Sequence, residues 1–417
     1  MSARRTLSRL IPGLLSALLL TACAGVSGTP VAGEIDVRTI DAGSYPTDPL
    51  DYRMVWEHYP NKTADLAAIR LAGYVPTGTE IDSELRFRRN GSPITNVYAG
   101  AQFLLKADVP IIERNGMLFG FTMSAASTPR QNGDAAEQIE VNALDSAALE
   151  PNSSSVHLTV LQFPDGSAAT RAVVEMEAAD FAVAAENVPV TLDRYPDAKS
   201  HWRPGVPTLG ALAARGNYLI NVFVKRPTAE LGDLTALAQK TLDAQIPLLD
   251  QLPPLSSRDV LRLDYDPQGM MRRILHPDRY VTPYFGREGV YTPRAYLHTT
   301  DDQEQTRRVL ESAGVDAVAE LNSLQDTTLI RARDGDAAAA LLNDFKSNRT
   351  DSADAPTGVP DTFCHRYVRY PKLRSLDEFH CYVRYDRYVG IVQATQLPDA
   401  QQKAAAQYAL LAKSAWM

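Results

Sequence analysis

The residues best suited to chemistry by type and spacing lie in one stretch, between Cys364 and Tyr388. The tetrapeptide Tyr-Val-Arg-Tyr occurs there twice, at 367–370 and at 382–385. Tyrosine and arginine combine flat apolar area with hydrogen-bond donors, and both are enriched at binding hot spots. They suit stacking on a sugar or holding an anionic group. The candidate binding residues are Tyr367, Arg369, Tyr370, Tyr382, Arg384, Tyr385 and Tyr388.

A second interpretation of this stretch remains open. Tyrosine has high strand propensity and pairs well across strands, so the same residues fit a solvated β-surface without a ligand. The segment Leu212–Val222 aligns with Tyr382–Val392 and has Leu-Ala-Ala where the second segment has Tyr-Val-Arg. The shared fold therefore does not require the tyrosines and arginines.

Motifs for catalysis, metals and cofactors are absent from the sequence. The seven histidines form no HExxH or paired zinc-ligand spacing, although His365 and His380 each adjoin a cysteine and could approach one another. No GxSxG elbow, P-loop or GxGxxG loop occurs. We therefore predict no metal and no cofactor, and we expect a non-catalytic protein. An enzyme whose residues meet only in the folded chain stays possible, because local motifs do not capture such sites.

The N-terminal residues have the pattern of a bacterial secretory signal. Three arginines precede an apolar run from Leu10 to Leu20, and Leu20-Thr21-Ala22-Cys23 follows. This tetrapeptide resembles the lipobox of bacterial lipoproteins. The resemblance implies that residues 1–22 are removed and that Cys23 carries a diacylglycerol and further acyl chains such as palmitate. Residues 23–50 are rich in Gly, Ser, Thr, Pro and Asp, which predicts a flexible tether.

The cysteine count and the charge agree with export. Beyond Cys23 only Cys364 and Cys381 remain, and an even pair in an oxidising compartment predicts a disulfide. The net charge of −8 becomes −11 once the three arginines of residues 1–22 are removed. An acidic surface argues against nucleic acid as a partner. Attachment to the membrane would come from the acyl chains.

An internal repeat of about 170 residues organises the rest of the chain. Two strand-like runs, His157–Phe163 and Thr327–Arg333, each lead through Asp-Gly into an alanine-rich helix. The aligned segments at 212–222 and 382–392 each read as two strands with a tight turn, and a proline and a helix follow each of them. The pattern predicts an α+β fold with two related domains, in which helices pack on one face of antiparallel sheets. We place the domains at 51–252 and 253–417.

The lipobox, the tether, Leu66–Tyr74, Asn115–Phe121 and Asp386–Val389 together resemble a family of actinobacterial secreted lipoproteins without assigned function. The resemblance implies a lipid-anchored location on the outer face of the cytoplasmic membrane. We expect binding of a cell-wall glycan, a lipid or an envelope protein. The alternatives are an extracytoplasmic enzyme with a site between domains and a structural subunit of an envelope complex.

Overall fold

The structure is a computed structural model. It describes residues 35–56, 59–129, 152–277, 282–321, 327–368 and 378–415. The predicted signal peptide, Cys23, residues 24–34 of the tether, Arg369 and Tyr370 lie outside these ranges. Residues Arg38–Met417 form one compact unit that contains both halves of the repeat.

Two antiparallel sheets of seven described strands each form the centre of the fold. The first sheet contains β1 (Phe87–Ile94), β2 (Phe119–Ala126), β3 (Ser155–Gln162), β4 (Val188–Pro189), β5 (Lys199–Trp202), β6 (Thr208–Arg215) and β7 (Tyr218–Lys225). The second contains β8 (Gly289–Tyr291), β9 (Ala317–Leu321), β10 (Thr327–Arg331), β11 (Ser352–Ala353), β12 (Thr362–Tyr367), β13 (Glu378–Tyr385) and β14 (Tyr388–Ala394). Their strand orders are β1-β2-β3-β7-β6-β5-β4 and β8-β9-β10-β14-β13-β12-β11. The two sheets therefore share one topology, as the repeat predicts.

Twelve helices are present in the described residues. They are α1 (Tyr52–Val55), α2 (Pro60–Ala72), α3 (Gly78–Ile81), α4 (Val97–Gly100), α5 (Val109–Arg114), α6 (Gly166–Phe181), α7 (Leu231–Asp250), α8 (Ser257–Val260), α9 (Pro293–Leu297), α10 (Gln303–Ser312), α11 (Gly335–Ser347) and α12 (Leu397–Lys413). Equivalent helices of the repeat begin in the same way. Asp165 caps α6 and Asp334 caps α11, because each carboxylate accepts a backbone N–H three residues on.

The predicted α+β class is confirmed, but helices cover both faces of the first sheet and not one. Leu219 and Ile220 are neighbours on β7 and point to opposite faces. Leu219 packs with residues of α6, whereas Ile220 packs with Leu234 and Leu237 of α7. In each repeat one helix follows the strand β3 or β10, and another follows the hairpin that ends with β7 or β14. The two helices of a repeat pack on opposite faces of its sheet.

Contacts between the halves of the chain are polar as well as apolar. Arg294 forms an ion pair with Glu80 at 3.1 Å, and Arg307 donates to the hydroxyl of Thr77 at 3.0 Å. The buried ring of His298 hydrogen-bonds the Val75 carbonyl at 3.1 Å. These links join the first half of the sequence to the helices α9 and α10 of the second. The position of the domain boundary near residues 252–257 remains a prediction.

Two local findings complete the fold. Asp302 caps α10, because its carboxylate accepts the Gln305 N–H. The hydroxyl of Thr300, two residues earlier, instead donates to the Leu297 carbonyl. Among the described residues, no helix combines the length and the apolar character that a membrane crossing needs.

Candidate functional site

The tyrosines and arginines of the second sheet do not share one surface. Tyr382 and Arg384 lie on the face that α11 covers, whereas Tyr385 lies on the opposite face, because alternate residues of β13 point in opposite directions. Tyr382 is only 3% exposed and stacks on Phe363 with ring centroids 4.6 Å apart. It is therefore a core residue.

The other predicted binding residues have partners of different kinds. Tyr385 packs edge-on against Tyr408 of α12, and Tyr388 is paired with Tyr385 across the hairpin. Arg384 forms an ion pair with Asp361. Tyr367 is 43% exposed and stacks on His380. The strand register places these tyrosines and arginines on two different faces of the sheet. A binding role for them remains a prediction.

The predicted disulfide is present between strands β12 and β13. Cys364 and Cys381 face each other across β12 and β13 and are bonded, with both residues buried. Among the described residues, no group of three His, Cys, Asp or Glu side chains is arranged to hold a metal ion.

A continuous row of paired residues crosses six strands of the first sheet. Direct cross-strand pairing connects its members in the order Asn90, Ser124, His157, Phe223, Gly210 and His201. Directly paired residues have Cβ atoms about 5 Å apart and point to the same face. We call these six residues the polar row. It lies on the face that carries α6.

Hydroxyl groups fix the centre of the polar row. Thr122 and Thr159 lie two residues from Ser124 and His157 on the same strands, and their hydroxyls are 2.9 Å apart. Both lie within 3.3 Å of the Nε2 atom of His157. Burial lowers the pKa of His157 to about 4, so its ring is neutral at physiological pH. A neutral imidazole held by two hydroxyls is a rigid, uncharged and buried part of the row.

Three buried polar atoms on or beside the row have no protein partner. They are Asn90 Nδ2, Ser124 Oγ and Asp108 Oδ1. Asn90 and Ser124 are direct cross-strand neighbours, and Asp108 immediately precedes α5. Leaving such a group unpaired costs about 1–3 kcal/mol, and buried polar groups are satisfied in the great majority of proteins. One donor, one hydroxyl and one acceptor are therefore available to a polar ligand or to water.

Two acidic side chains, Glu177 and Asp180, lie beside His201 at the other end of the row. Glu177 Oε1 lies 3.1 Å from Nδ1 of His201, and Asp180 Oδ2 lies 3.8 Å from its Nε2. The hydrogen bond to Glu177 raises the pKa of His201 and favours the protonated ring. Burial and the charge of Asp180 raise the pKa of Asp108 to about 7. Asp108 thus exchanges a proton near neutral pH beside a second carboxyl group.

The middle of the row remains partly open to solvent. Phe223 and Gly210 are half-buried although both lie on inner strands of the sheet. A Cβ atom added at Gly210 would lie 3.9 Å from the Asp180 carboxylate, which is ordinary contact. The ring of Phe223 therefore forms an accessible apolar floor between His157 on one side and the acidic group on the other.

The sequence carries a signal for this site that motif searching does not find. Polar residues alternate with apolar ones on the central strands: Thr122 and Ser124 on β2, His157 and Thr159 on β3. Strands of a buried sheet usually have apolar side chains on both faces. A polar face on such strands indicates a site, but only the strand register shows which residues adjoin.

Comparisons with known proteins define the family and leave its activity unassigned. No curated protein matches the chain. The extracellular domain of PknH from Mycobacterium tuberculosis is similar at 11% identity, over 49% of this chain and 99% of that one, with a TM-score of 0.27. That similarity is too low to support an argument. The N-terminal domain of unknown function DUF7373 matches residues 57–265, and its C-terminal counterpart matches residues 270–414. The chain therefore belongs to the DUF7373 family.

Proposed function

We propose that this protein is an exported, lipid-anchored envelope protein whose first sheet binds a sugar or another hydroxyl-rich group of a cell-wall glycan. The observation that carries the proposal is the polar row, with two unpartnered buried atoms at its Asn90–Ser124 end and the half-buried ring of Phe223 two strands beyond Ser124. Ligand sites typically combine an apolar surface with a few placed polar groups.

The chemistry of the row suits hydroxyl groups better than a single ion. Each hydroxyl of a sugar both donates and accepts, and the row offers a donor in Asn90 Nδ2, an acceptor in Asp108 Oδ1 and an ambivalent group in Ser124 Oγ. The C–H face of a sugar ring is apolar and fits the flat surface of Phe223. The neutral ring of His157 adds no charge that would select an ion.

Export is supported by two independent features. The N-terminal residues have the charge and apolar pattern of a lipoprotein signal with Cys23 at its end. The buried Cys364–Cys381 disulfide is of a kind that persists in oxidising compartments and is rare in the cytosol.

A glycan-cleaving enzyme is the second candidate, and one observation favours it. Asp108 and Asp180 are close enough for their charges to interact, and burial raises the pKa of both. A carboxylic acid with a raised pKa beside a second carboxyl group is the usual arrangement in glycoside hydrolysis. Release of new reducing ends from wall glycan would support this candidate over simple binding.

Retention on isolated wall material tests the proposal. Phe223→Ala removes the apolar floor, and Gly210→Leu fills the space beside Asp180. We expect each change to weaken retention of the detergent-solubilised mature protein by about tenfold or more, which is typical of a hot-spot truncation.

The matched control is Tyr98→Ala, because this tyrosine is 83% exposed and lies outside the row. Its retention should equal that of the unchanged protein. Circular dichroism of all three variants checks that they fold. Equal retention of folded Phe223→Ala, Gly210→Leu and Tyr98→Ala would refute the site.

A further inference from the structure

The repeat places a second histidine at the position of His201. His201 pairs with Gly210 on the neighbouring strand, and His365 pairs with His380. Gly210 and His380 are related by the same offset as the aligned hairpins, 170 residues. The end of the polar row therefore has a counterpart in the second sheet, formed by His365 and His380.

The charges that face these two histidines are opposite. Glu177 and Lys346 each lie twelve residues after the aspartate that caps their helix, and Asp180 and Arg349 each lie fifteen residues after it. Two acids beside His201 thus correspond to two bases in the second half. Arg349 contacts the hydroxyl of Tyr382, whose ring lies 5.7 Å from the ring of His365, and the Arg349 charge lowers the pKa of His365.

His365 presents one ring nitrogen without a partner. Its Nδ1 donates to the Arg366 carbonyl at 3.1 Å, while Nε2 is buried and has no hydrogen bond. The residue is only 4% exposed. Arg349 is exposed, and its Nη2 reaches the hydroxyl of Tyr382 at 3.4 Å. A buried imidazole nitrogen, a guanidinium and a phenol hydroxyl therefore converge on one end of the second sheet.

We propose that this end of the second sheet binds an anionic oxygen group, a phosphate or a carboxylate, between Arg349 and Nε2 of His365. A guanidinium forms strong paired hydrogen bonds with such groups. The site is independent of sugar binding at the polar row. Its ligand would have the opposite electrostatic preference, because the acids of the first half are replaced by bases.

Binding of an anion at this position is coupled to a proton. Nδ1 of His365 already donates its hydrogen, so Nε2 can donate to an anion only after the ring is protonated. Burial and Arg349 lower the pKa of His365 from 6.5, while the Arg366 carbonyl and Asp351 oppose that shift. His380, next to Glu378 at 3.6 Å, is the other titratable neighbour. Since the anion favours the protonated ring, its affinity rises as the pH falls through and below 6.5.

Titration with sulfate tests the site, since sulfate keeps its charge between pH 5.5 and 8. The probe is the ring resonance of His365 in detergent-solubilised full-length protein labelled at histidine, assigned with His365→Gln. We expect sulfate to shift this resonance and to bind about tenfold more tightly at pH 5.5 than at pH 8, the change that uptake of one proton over about one pH unit produces. Arg349→Gln should weaken binding about tenfold.

The matched control is Arg333→Gln, because Arg333 is exposed and pairs with Asp334 away from the site. Vesicles of phosphatidylglycerol and inorganic phosphate then distinguish a lipid headgroup from a free anion, and loss of either interaction in Arg349→Gln supports the site. If sulfate leaves the His365 resonance unchanged, or if Arg349→Gln and Arg333→Gln bind it equally, the proposal fails. Sulfate binding to Phe223→Ala should be unchanged. The outcome at this anion site is therefore independent of whether the polar row binds a sugar.

Discussion

Asp108 is the residue whose ionisation should be visible in the stability of the whole protein. Its pKa is raised to about 7 in the fold, from an ordinary value of 3.8. The folded protein therefore holds a proton that the unfolded chain releases, and stability falls as the pH rises from about 4 to 7. Asp108→Asn replaces the titrating carboxyl group with a neutral amide, so that no buried charge forms at high pH. The substitution should raise the free energy of unfolding by about 1–3 kcal/mol at pH 8, with little gain at pH 4.5.

Guanidinium denaturation of Asp108→Asn at the two pH values measures this difference. The control is Asp193→Asn, at an exposed carboxyl group. The shift of Asp180 has the same direction as that of Asp108, so some pH dependence remains in the variant. A loss of stability at pH 8 would mean that the charged form of Asp108 stabilises the fold, contrary to its environment.

At the scale of elements, α6 and α11 are the equivalent helices of the repeat, and their caps can be compared directly. The Asp165 and Asp334 carboxylates accept the N–H groups of Ala168 and Ala337, each at 2.8 Å. Replacing either aspartate with alanine leaves one N–H unpaired and should lower the free energy of unfolding by about 1 kcal/mol. Asparagine at either position keeps the acceptor and should retain most of the stability.

Thermal and denaturant unfolding of the two alanine variants and their double variant provides the measurement. The two capped helices pack on different sheets. The effects of the two substitutions on the free energy of unfolding should therefore add within about 0.5 kcal/mol. A strongly non-additive result would show that the two helix starts are coupled through the fold.

At the scale of the whole molecule, Cys23 is the residue that should determine location. It lies outside the described residues, and its lipidation is inferred from the sequence pattern. Two acyl chains give stable anchoring, whereas an unlipidated chain has no such attachment. We expect Cys23→Ser to move the protein from the washed membrane fraction to the soluble fraction, as followed by immunoblotting.

The neighbouring Ser27→Ala change preserves the cysteine and should leave the protein in the membrane fraction. Mass spectrometry of the mature N-terminus identifies the acyl chains directly. Continued retention of Cys23→Ser through the same washes would contradict lipid anchoring.

The sequence by itself determined the local elements and their repetition. Period-two strands, Asp-Gly helix starts and the hairpins at 212–222 and 382–392 depend on neighbouring residues, and the structure has them near the predicted positions. The Cys364–Cys381 disulfide was also predictable, because few pairings of three cysteines were possible. These features need no knowledge of which strands adjoin.

Only the tertiary structure decided which side chains meet. Asn90 and His201 are at opposite ends of a row in which β1, β2, β3 and β7 are far apart in sequence. A register shift of one residue in any of these strands would place its row residue on the other face of the sheet. The same alternation separates Tyr382 from Tyr385, although they are close in sequence. Adjacency across a sheet depends on long-range pairing, which local residue patterns do not encode.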